Sequence, residues 1–173
     1  YLALLNAITT SIIASQDMDR SIESLVEGLK ELLSADDCYM TRWDEEVEKP
    51  VPWGSTAEME QPYMTMTFPD GLRSMSSSVI EEGHALVAED VFNSPYVSPE
   101  IAKMFPAHSM LGIPLLYRNK KLGAIIVAYN TLHKFDTGEI ERAEQAGRQI
   151  AIAMWSVQQD IALKKRLKEQ ETL

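Results

Sequence analysis

The chain has 173 residues, of which 45% are hydrophobic and 24% charged, a composition typical of a globular domain rather than a disordered segment. Its formal net charge is −10 and its lysines and arginines form no basic stripe, which argues against contact with nucleic acid or an anionic membrane surface. No apolar run is long enough to span a bilayer, and one cysteine, Cys38, provides neither an internal disulfide nor a thiol cluster for zinc, so a reducing, cytoplasmic setting is expected.

The first part of the sequence predicts two helices. Apolar residues recur at helical spacing between Tyr1 and Ile13 and again between Ile22 and Leu33, with the polar segment SQDMD between the two patterns. The first pattern starts at residue 1 without a methionine, and another apolar helical pattern reaches Leu173. We therefore expect the chain to be a domain of a longer protein.

The next part alternates between side-chain types in the manner of strands. We predict strands at 38–43, around 51–53 and at 63–68, with a polar loop at 54–61. In the first strand, the alternation places Cys38 and Tyr39 on opposite faces of the sheet.

The central region combines helix and strand signals. A short helix is predicted over 72–82 and ends at Gly83, because glycine commonly forms the left-handed cap of a helix. A strand follows over 84–91. One or two helical turns come next, since Ser98 suits the N-cap and Pro99 the first helical position.

The segment 112–130 is typical of an antiparallel hairpin, because two apolar runs flank a polar turn at 118–121. Asp136 and Glu139 then form an acidic capping box at the start of a helix of about thirty residues. Its apolar side chains form a heptad-like seam: Ile140, Ala143, Gly147, Ile150, Met154, Val157 and Ile161. This order of elements predicts an α+β domain with a mainly antiparallel sheet.

Four segments in this order resemble the GAF domain family, over about residues 18–159. They are LLSADDCYMTRWDEE in the first strand, VIEEGHALVAEDV in the centre, SMLGIPLLYRNKKLGAIIVAYN in the hairpin, and FDTGEIERAEQAGRQIAIAM in the last helix. The resemblance implies an antiparallel sheet of about six strands, with helices on one face and a small-molecule pocket on the other. It also implies a regulatory role, dimerisation through the terminal helices, and a covalently linked output domain such as a histidine kinase or cyclase.

On this basis we divide the chain into three parts. Residues 1–17 form an N-terminal dimer or linker helix, residues 18–159 the GAF domain, and residues 160–173 a C-terminal extension of the signalling helix. The expected function is that of a non-catalytic sensor in a cytoplasmic two-component histidine kinase, which binds an unidentified small molecule, forms a homodimer, or both. The alternatives are a ligand-free spacer that only dimerises its neighbours, and a haem or redox sensor.

Two branches of the family depend on cysteine. In bilin-binding relatives the chromophore cysteine lies in the later central region, whereas Cys38 lies in the first strand, so bilin attachment is contradicted. The branch that reduces free methionine sulfoxide needs several cysteines, and a single thiol cannot form the redox pair. Cys38 is interpreted as a small buried apolar residue.

Two further branches depend on other residues. His108 lies close to the position where haem-binding relatives carry an axial ligand, although its spacing from Gly112 is short, so haem is a minor alternative. Cyclic-nucleotide-binding relatives carry an Asn-Lys…Phe…Asp-Glu constellation. This chain matches it only in part, with Asn130, Phe135 and Glu139, so binding of a cyclic nucleotide is unsupported.

The sequence contains no Gly-rich phosphate loop, metal-ligand spacing or serine elbow, so no catalytic or metal residue is assigned. The aromatic and methionine residues of the middle region are expected to divide about equally between the core and a pliable apolar pocket. The pocket candidates are Trp43, Trp53, Met64, Met66, Phe92, Tyr96, Phe105 and His108. The dimer-interface candidates, from the two terminal helices, are Ile8, Ile12, Ile150, Met154, Val157 and Ile161.

Overall fold

A computed structural model describes residues 2–172. Tyr1, where the first predicted helical pattern begins, and Leu173, where the last one ends, lie outside the described residues. The helices are α1 (Leu2–Ser15), α2 (Met18–Leu32), α3 (Ala57–Met64), α4 (Met75–Glu82), α5 (Pro99–Ala102) and α6 (Thr137–Glu171). The strands are β1 (Asp37–Asp44), β2 (Lys49–Ser55), β3 (Leu86–Ala88), β4 (Ser109–Tyr117) and β5 (Lys120–Tyr129). Among the described helices, none combines the length and apolar character of a membrane span.

The strands form one sheet in the order β2-β1-β5-β4-β3, with antiparallel pairing between neighbours. The α+β fold with an antiparallel sheet and a long C-terminal helix is therefore confirmed. Helices α2 and α6 pack on one face of the sheet and α1 lies against both of them; we call this the long-helix face. The short helices α3, α4 and α5 cover the other face, which we call the cavity face, whereas the prediction had helices on one face only.

The alternation of β1 separates two apolar cores. Cys38 and Met40 are fully buried toward the long-helix face, and Tyr39 is 1% exposed toward the cavity face. The predicted assignment of Cys38 and Tyr39 to opposite faces is confirmed. The same alternation continues in the neighbouring β5, where Ile125 and Ile126 face opposite cores.

The segment 54–68 differs from its prediction. Residues 57–64 form α3 rather than a loop, and the predicted strand at 63–68 is wrong, so the described sheet has five strands rather than about six. In a helix, Tyr63 becomes buried on the cavity face while Met64 stays exposed. Strand propensity depends on packing against neighbouring strands, and in the structure the segment 63–68 pairs with none of the described strands, not even at the open edge that β2 provides.

The predicted strand over 84–91 is shorter in the structure. Only Leu86–Ala88 pairs with β4, and a 3₁₀ turn follows at Val91–Asn93. The side chain of Asp90 accepts a hydrogen bond from the Phe92 N–H at 3.0 Å and so favours a turn over further pairing. The predicted helix that ends at Gly83 is confirmed, with φ of 79° at that glycine.

The start of α6 is held by the predicted capping box. The Asp136 carboxylate accepts the Glu139 N–H at 2.8 Å, and the Glu139 carboxylate accepts the Asp136 N–H at 3.4 Å. We expect Asp136→Ala to lower the free energy of unfolding by about 1 kcal/mol, because the first turn loses its cap. Urea denaturation measures this change, with Asp160→Ala, an exposed aspartate inside the same helix, as the control that should stay within about 0.5 kcal/mol. Equal losses in the two variants would contradict a capping role.

Candidate functional site

The cavity face encloses a cavity between the sheet and the segment that contains α3, α4 and α5. It holds about 430 Å³ of unfilled space including its mouth, and about 30 Å³ of this can be occupied by the centres of water molecules. That interior is enough for roughly two waters. We call it the aromatic cavity, and its lining is Tyr39, Thr41, Pro50, Tyr63, Phe68, Ser74, Met75, Ser76, Val97, Ile101, Phe105, Met110 and Ile126.

Four aromatic rings from separate elements meet in the aromatic cavity. The ring of Tyr39, on β1, lies 4.9 Å from that of Tyr63, on α3, and 5.0 Å from that of Phe105, which follows α5. Phe68 stacks on Phe105 at 6.4 Å with the planes inclined by 11°. Tilted and edge-to-face contacts of this kind stabilise ring pairs beyond the burial of their area. The lining is therefore largely apolar and includes four flat rings.

Tyr39 also contributes a polar atom without a partner. In the described part of the chain, its hydroxyl is the one buried side-chain polar atom that forms no hydrogen bond. Burial raises the pKa of Tyr39, with the nearby Asp37 carboxylate adding to the effect, and burial likewise raises the pKa of Tyr63. Both phenols are therefore neutral at physiological pH and able to donate a hydrogen bond.

The N-terminus of α4 forms part of the wall. Ser74 caps the helix by accepting the Ser77 N–H at 3.1 Å, and Ser76 faces the aromatic cavity one residue after Met75. No Asp, Glu, Lys, Arg or His is found among the lining residues that the structure describes. The chemistry available is thus apolar contact, hydroxyl groups and backbone, without a formal charge.

Of the eight predicted pocket residues, only Phe105 lines the aromatic cavity. Met66 and Tyr96 pack at the edge of the same apolar core, outside the lining. Met64 and Phe92 are 46% and 43% exposed, and the ring of Phe92 makes an edge contact with His108 at 6.5 Å. These four positions are therefore surface or rim residues.

The two predicted tryptophans also lie outside the cavity lining. Trp53 is on the long-helix side, where its Nε1–H donates to the Asp19 carboxylate at 3.0 Å. Trp43 packs at the edge of the cavity-face core, outside the lining, with the Lys121 ammonium 4.4 Å from its ring centre. A cation over an aromatic face is a stabilising surface contact. Neither tryptophan reaches the aromatic cavity.

Sequence reasoning missed Tyr39, Tyr63, Phe68 and Met75 as site residues. The signal for Tyr39 was present, since its alternation with Cys38 already placed it on the face away from that thiol. Tyr63 was assigned to a strand at 63–68, whereas it lies in α3, where it is buried next to the exposed Met64.

Cys38 and His108, the residues considered for a bilin and a haem, are not placed to hold either cofactor in the aromatic cavity. Cys38 is fully buried in the core of the long-helix face, where burial, with repulsion from Glu27 and Asp37, raises the pKa of its thiol. His108 is exposed and outside the lining, and it is held through its backbone, whose N–H donates to the Tyr129 carbonyl at 2.8 Å. Within residues 2–172, no three His, Cys, Asp or Glu side chains are grouped as metal ligands would be.

Five of the six dimer-interface candidates lie in the interior of the chain. Ile8, Ile12, Ile150, Met154 and Val157 are between 0% and 8% exposed and belong to the core of the long-helix face. Only Ile161 is on the surface, at 41% exposed. The heptad-like seam of α6 therefore faces the chain's own sheet and helices as far as Val157.

A contact chain links the cavity face to the start of α6. Met110 lines the aromatic cavity, and the preceding Ser109 accepts the His133 N–H through its hydroxyl at 2.9 Å. The His133 ring stacks on Tyr129 at 4.1 Å, and its Nε2 lies 2.8 Å from the Glu139 carboxylate in the first turn of α6. His133 is thus half-buried at the junction of the sheet and helix.

The comparisons identify the family and the fold. The family model described as GAF domain matches residues 17–154. The GAF domain of a phosphoenolpyruvate-protein phosphotransferase from Coxiella burnetii aligns with a TM-score of 0.77 at 20% identity, covering 93% of this chain and 96% of its own. A free methionine-R-sulfoxide reductase from Neisseria meningitidis, in complex with its substrate, aligns at 0.75 and 17%, covering 91% and 89%.

A third similar structure is a domain assigned to a two-component sensor histidine kinase from Sinorhizobium meliloti. It aligns with a TM-score of 0.63 at 15% identity and covers 80% of this chain and 91% of its own. At these identities the structural likenesses establish the fold alone. A comparison with curated protein sequences found no match.

Proposed function

This chain belongs to the GAF family, a sensory and regulatory fold found in signalling proteins that include sensor kinases, and we propose that it is a non-catalytic sensor that binds a small molecule in the aromatic cavity. GAF domains are generally regulatory, although one similar structure is a sulfoxide reductase. The observation that carries the proposal is a cavity lined by four aromatic rings, one of which, Tyr39, has a buried hydroxyl without a hydrogen-bond partner. Convergent apolar walls with a few polar groups are characteristic of ligand sites.

The output route that we propose is α6. The contacts from Met110 and Ser109 through His133 to Glu139 give a direct structural link between the cavity wall and the first turn of this helix. A ligand shifts a two-state equilibrium only by its differential affinity for the two states, so occupancy of the cavity must favour one packing of this junction. A cytoplasmic sensor histidine kinase is the full-length context we propose, supported by the fold likeness to the Sinorhizobium meliloti domain and by the unpaired cysteine.

Native mass spectrometry of the gently purified protein tests occupancy of the aromatic cavity. We expect the wild-type protein to carry a bound small molecule, and Ser76→Phe to lose it, because the new ring fills the cavity from its α4 wall. Glu82→Phe is the matched control, since it adds the same ring at an exposed position of the same helix. Circular dichroism verifies that each variant is folded. A ligand-free spectrum for wild type and both variants would favour the alternative of a structural spacer.

We also propose that the chain forms a homodimer. The proposed interface lies on a different face of α6 from the one that the sequence predicted. Exposed apolar side chains Ile152, Leu163 and Leu167 are 56%, 55% and 51% exposed. At about 100° per residue they lie within roughly 60° of one another, opposite the stripe that packs on the sheet. A second copy of this helix is the partner that such a stripe fits.

Light scattering at several protein concentrations checks the dimer. We expect a dimeric mass for the wild type and a shift toward the monomer for Leu163→Glu, because a charge then enters the proposed seam. Leu132→Glu is the control, since that leucine is 71% exposed and lies outside α6. A wild-type protein that stays monomeric at high concentration contradicts the dimer.

A further inference from the structure

The unpaired hydroxyl of Tyr39 is the most specific polar feature of the aromatic cavity. A buried polar group without a partner loses its hydrogen bonds to water and gains none, so it destabilises the fold unless something completes it. Tyr129, on the other face of the sheet, shows the contrast: its hydroxyl donates to the Leu33 carbonyl at 2.7 Å. Tyr39 lies in the cavity wall without such a partner, which is the arrangement expected where a ligand atom provides the second half of the bond.

The rest of the lining restricts the charge of that ligand. None of the described lining residues is ionisable apart from two tyrosines, which burial keeps neutral. An ion placed there loses its hydration without a counter-charge, whereas a neutral molecule does not incur this cost. The capped start of α4 adds little for an anion, because the Ser77 N–H is already bonded to the Ser74 hydroxyl.

Shape and size restrict it further. The rings of Tyr39, Tyr63 and Phe105 meet at centroid distances of 4.9 to 6.1 Å, and a further flat ring extends this set of contacts. The present interior holds only about two waters, so a ligand must displace side chains at the mouth. Met75 and Met110 line the wall and adapt easily, since methionine is unbranched and flexible.

We propose that the aromatic cavity takes neutral single-ring aromatic compounds with one hydrogen-bonding group, and that this group pairs with the Tyr39 hydroxyl. The inference rests on the proposed function, because it specifies the ligand class of the same cavity. It assigns Tyr39 as the residue that distinguishes a phenol-like ligand from a plain hydrocarbon of the same shape.

The test compares four probes on the wild type and on Tyr39→Phe: p-cresol, toluene, benzoate and phenyltrimethylammonium. Isothermal titration calorimetry should show that p-cresol binds the wild type more tightly than the other three. In Tyr39→Phe, we expect p-cresol affinity to fall about tenfold, while toluene affinity stays within about twofold. Tyr129→Phe is the control for loss of a partnered hydroxyl: it should lower the melting temperature and leave p-cresol affinity unchanged.

The unliganded Tyr39→Phe protein provides a second readout. Its melting temperature should equal or exceed that of the wild type, because the hydroxyl it removes has no partner in the folded chain. Tighter binding of either charged probe overturns the proposed class, and so does an equal loss of p-cresol and toluene affinity. If native mass spectrometry shows a bound molecule but no neutral probe binds, this inference fails and the proposed function stands; if the protein is empty and none of the probes binds, both fail.

Discussion

Ile150→Ala is expected to lower the free energy of unfolding by about 2–5 kcal/mol, one of the largest effects of any single change in the domain. Ile150 is fully buried in the core between α6 and the sheet, so alanine leaves a cavity that the rigid surroundings fill only partly. Guanidinium denaturation measures the loss, and because the contacts are internal, the loss should not depend on protein concentration.

The neighbouring Ile152→Ala is the matched control for this result. Ile152 is 56% exposed on the opposite side of α6, so at low protein concentration its replacement should change the free energy of unfolding by less than about 0.5 kcal/mol. If α6 forms the proposed dimer, the effect of Ile152→Ala should grow with protein concentration. If the loss of unfolding free energy caused by Ile150→Ala depended on protein concentration, Ile150 would instead belong to the dimer interface.

Gly123→Ala is the second change for which we expect a large effect, with a loss of roughly 3 kcal/mol or more, or failure to fold. Gly123 lies in β5 with φ of +156°, directly beside β1. A Cβ there would overlap the carbonyl oxygen of Thr41 and lie 3.1 Å from the Cα of Arg42, and these are backbone atoms that cannot move without separating the central strands. Urea denaturation, or the yield of folded protein, measures the effect.

Gly71→Ala is the control that distinguishes the steric clash at Gly123 from the strain of a positive φ. Gly71 also has a positive φ, of +85°, but a Cβ added there would meet no atom within 4 Å beyond its two chain neighbours, so only the left-handed conformation opposes alanine. We expect a loss of about 1 kcal/mol for this variant. Equal losses at the two glycines would show that the close approach of β5 to β1 has little energetic weight.

Elements with a strong internal signal were predicted well. The amphipathic period of α2, the polar turn of the closing hairpin, and the Asp136 capping box each depend on residues close in sequence, and each is confirmed. The alternation at 63–68 is an equally clear pattern, but the segment pairs with no described strand, and pairing is not visible in a single segment.

The site was predicted less well because it depends on which face each helix covers. A heptad-like seam indicates a helix that buries one stripe, and it looks the same whether the stripe meets a second copy or the chain's own sheet, which is why Ile150 and Met154 were assigned to a dimer. For the cavity, Phe105 was identified by its type alone. For Tyr39, the alternation of β1 indicated the face of the sheet, but the sequence did not show that the short helices cover this face or that the Tyr39 hydroxyl has no partner there.

The length of α6 would set the rotational orientation of any domain joined to its C-terminal end. The helix has 35 residues, and none of its described residues after Val157 is buried, although the Lys164 ammonium donates to the Gln16 side-chain oxygen at 3.2 Å. Each residue of such a helix adds about 1.5 Å of rise and about 100° of rotation. Deleting one residue after Val157 would therefore change the heading of an attached domain by about 100° while barely changing its distance, whereas deleting seven would change the heading by only about 20°.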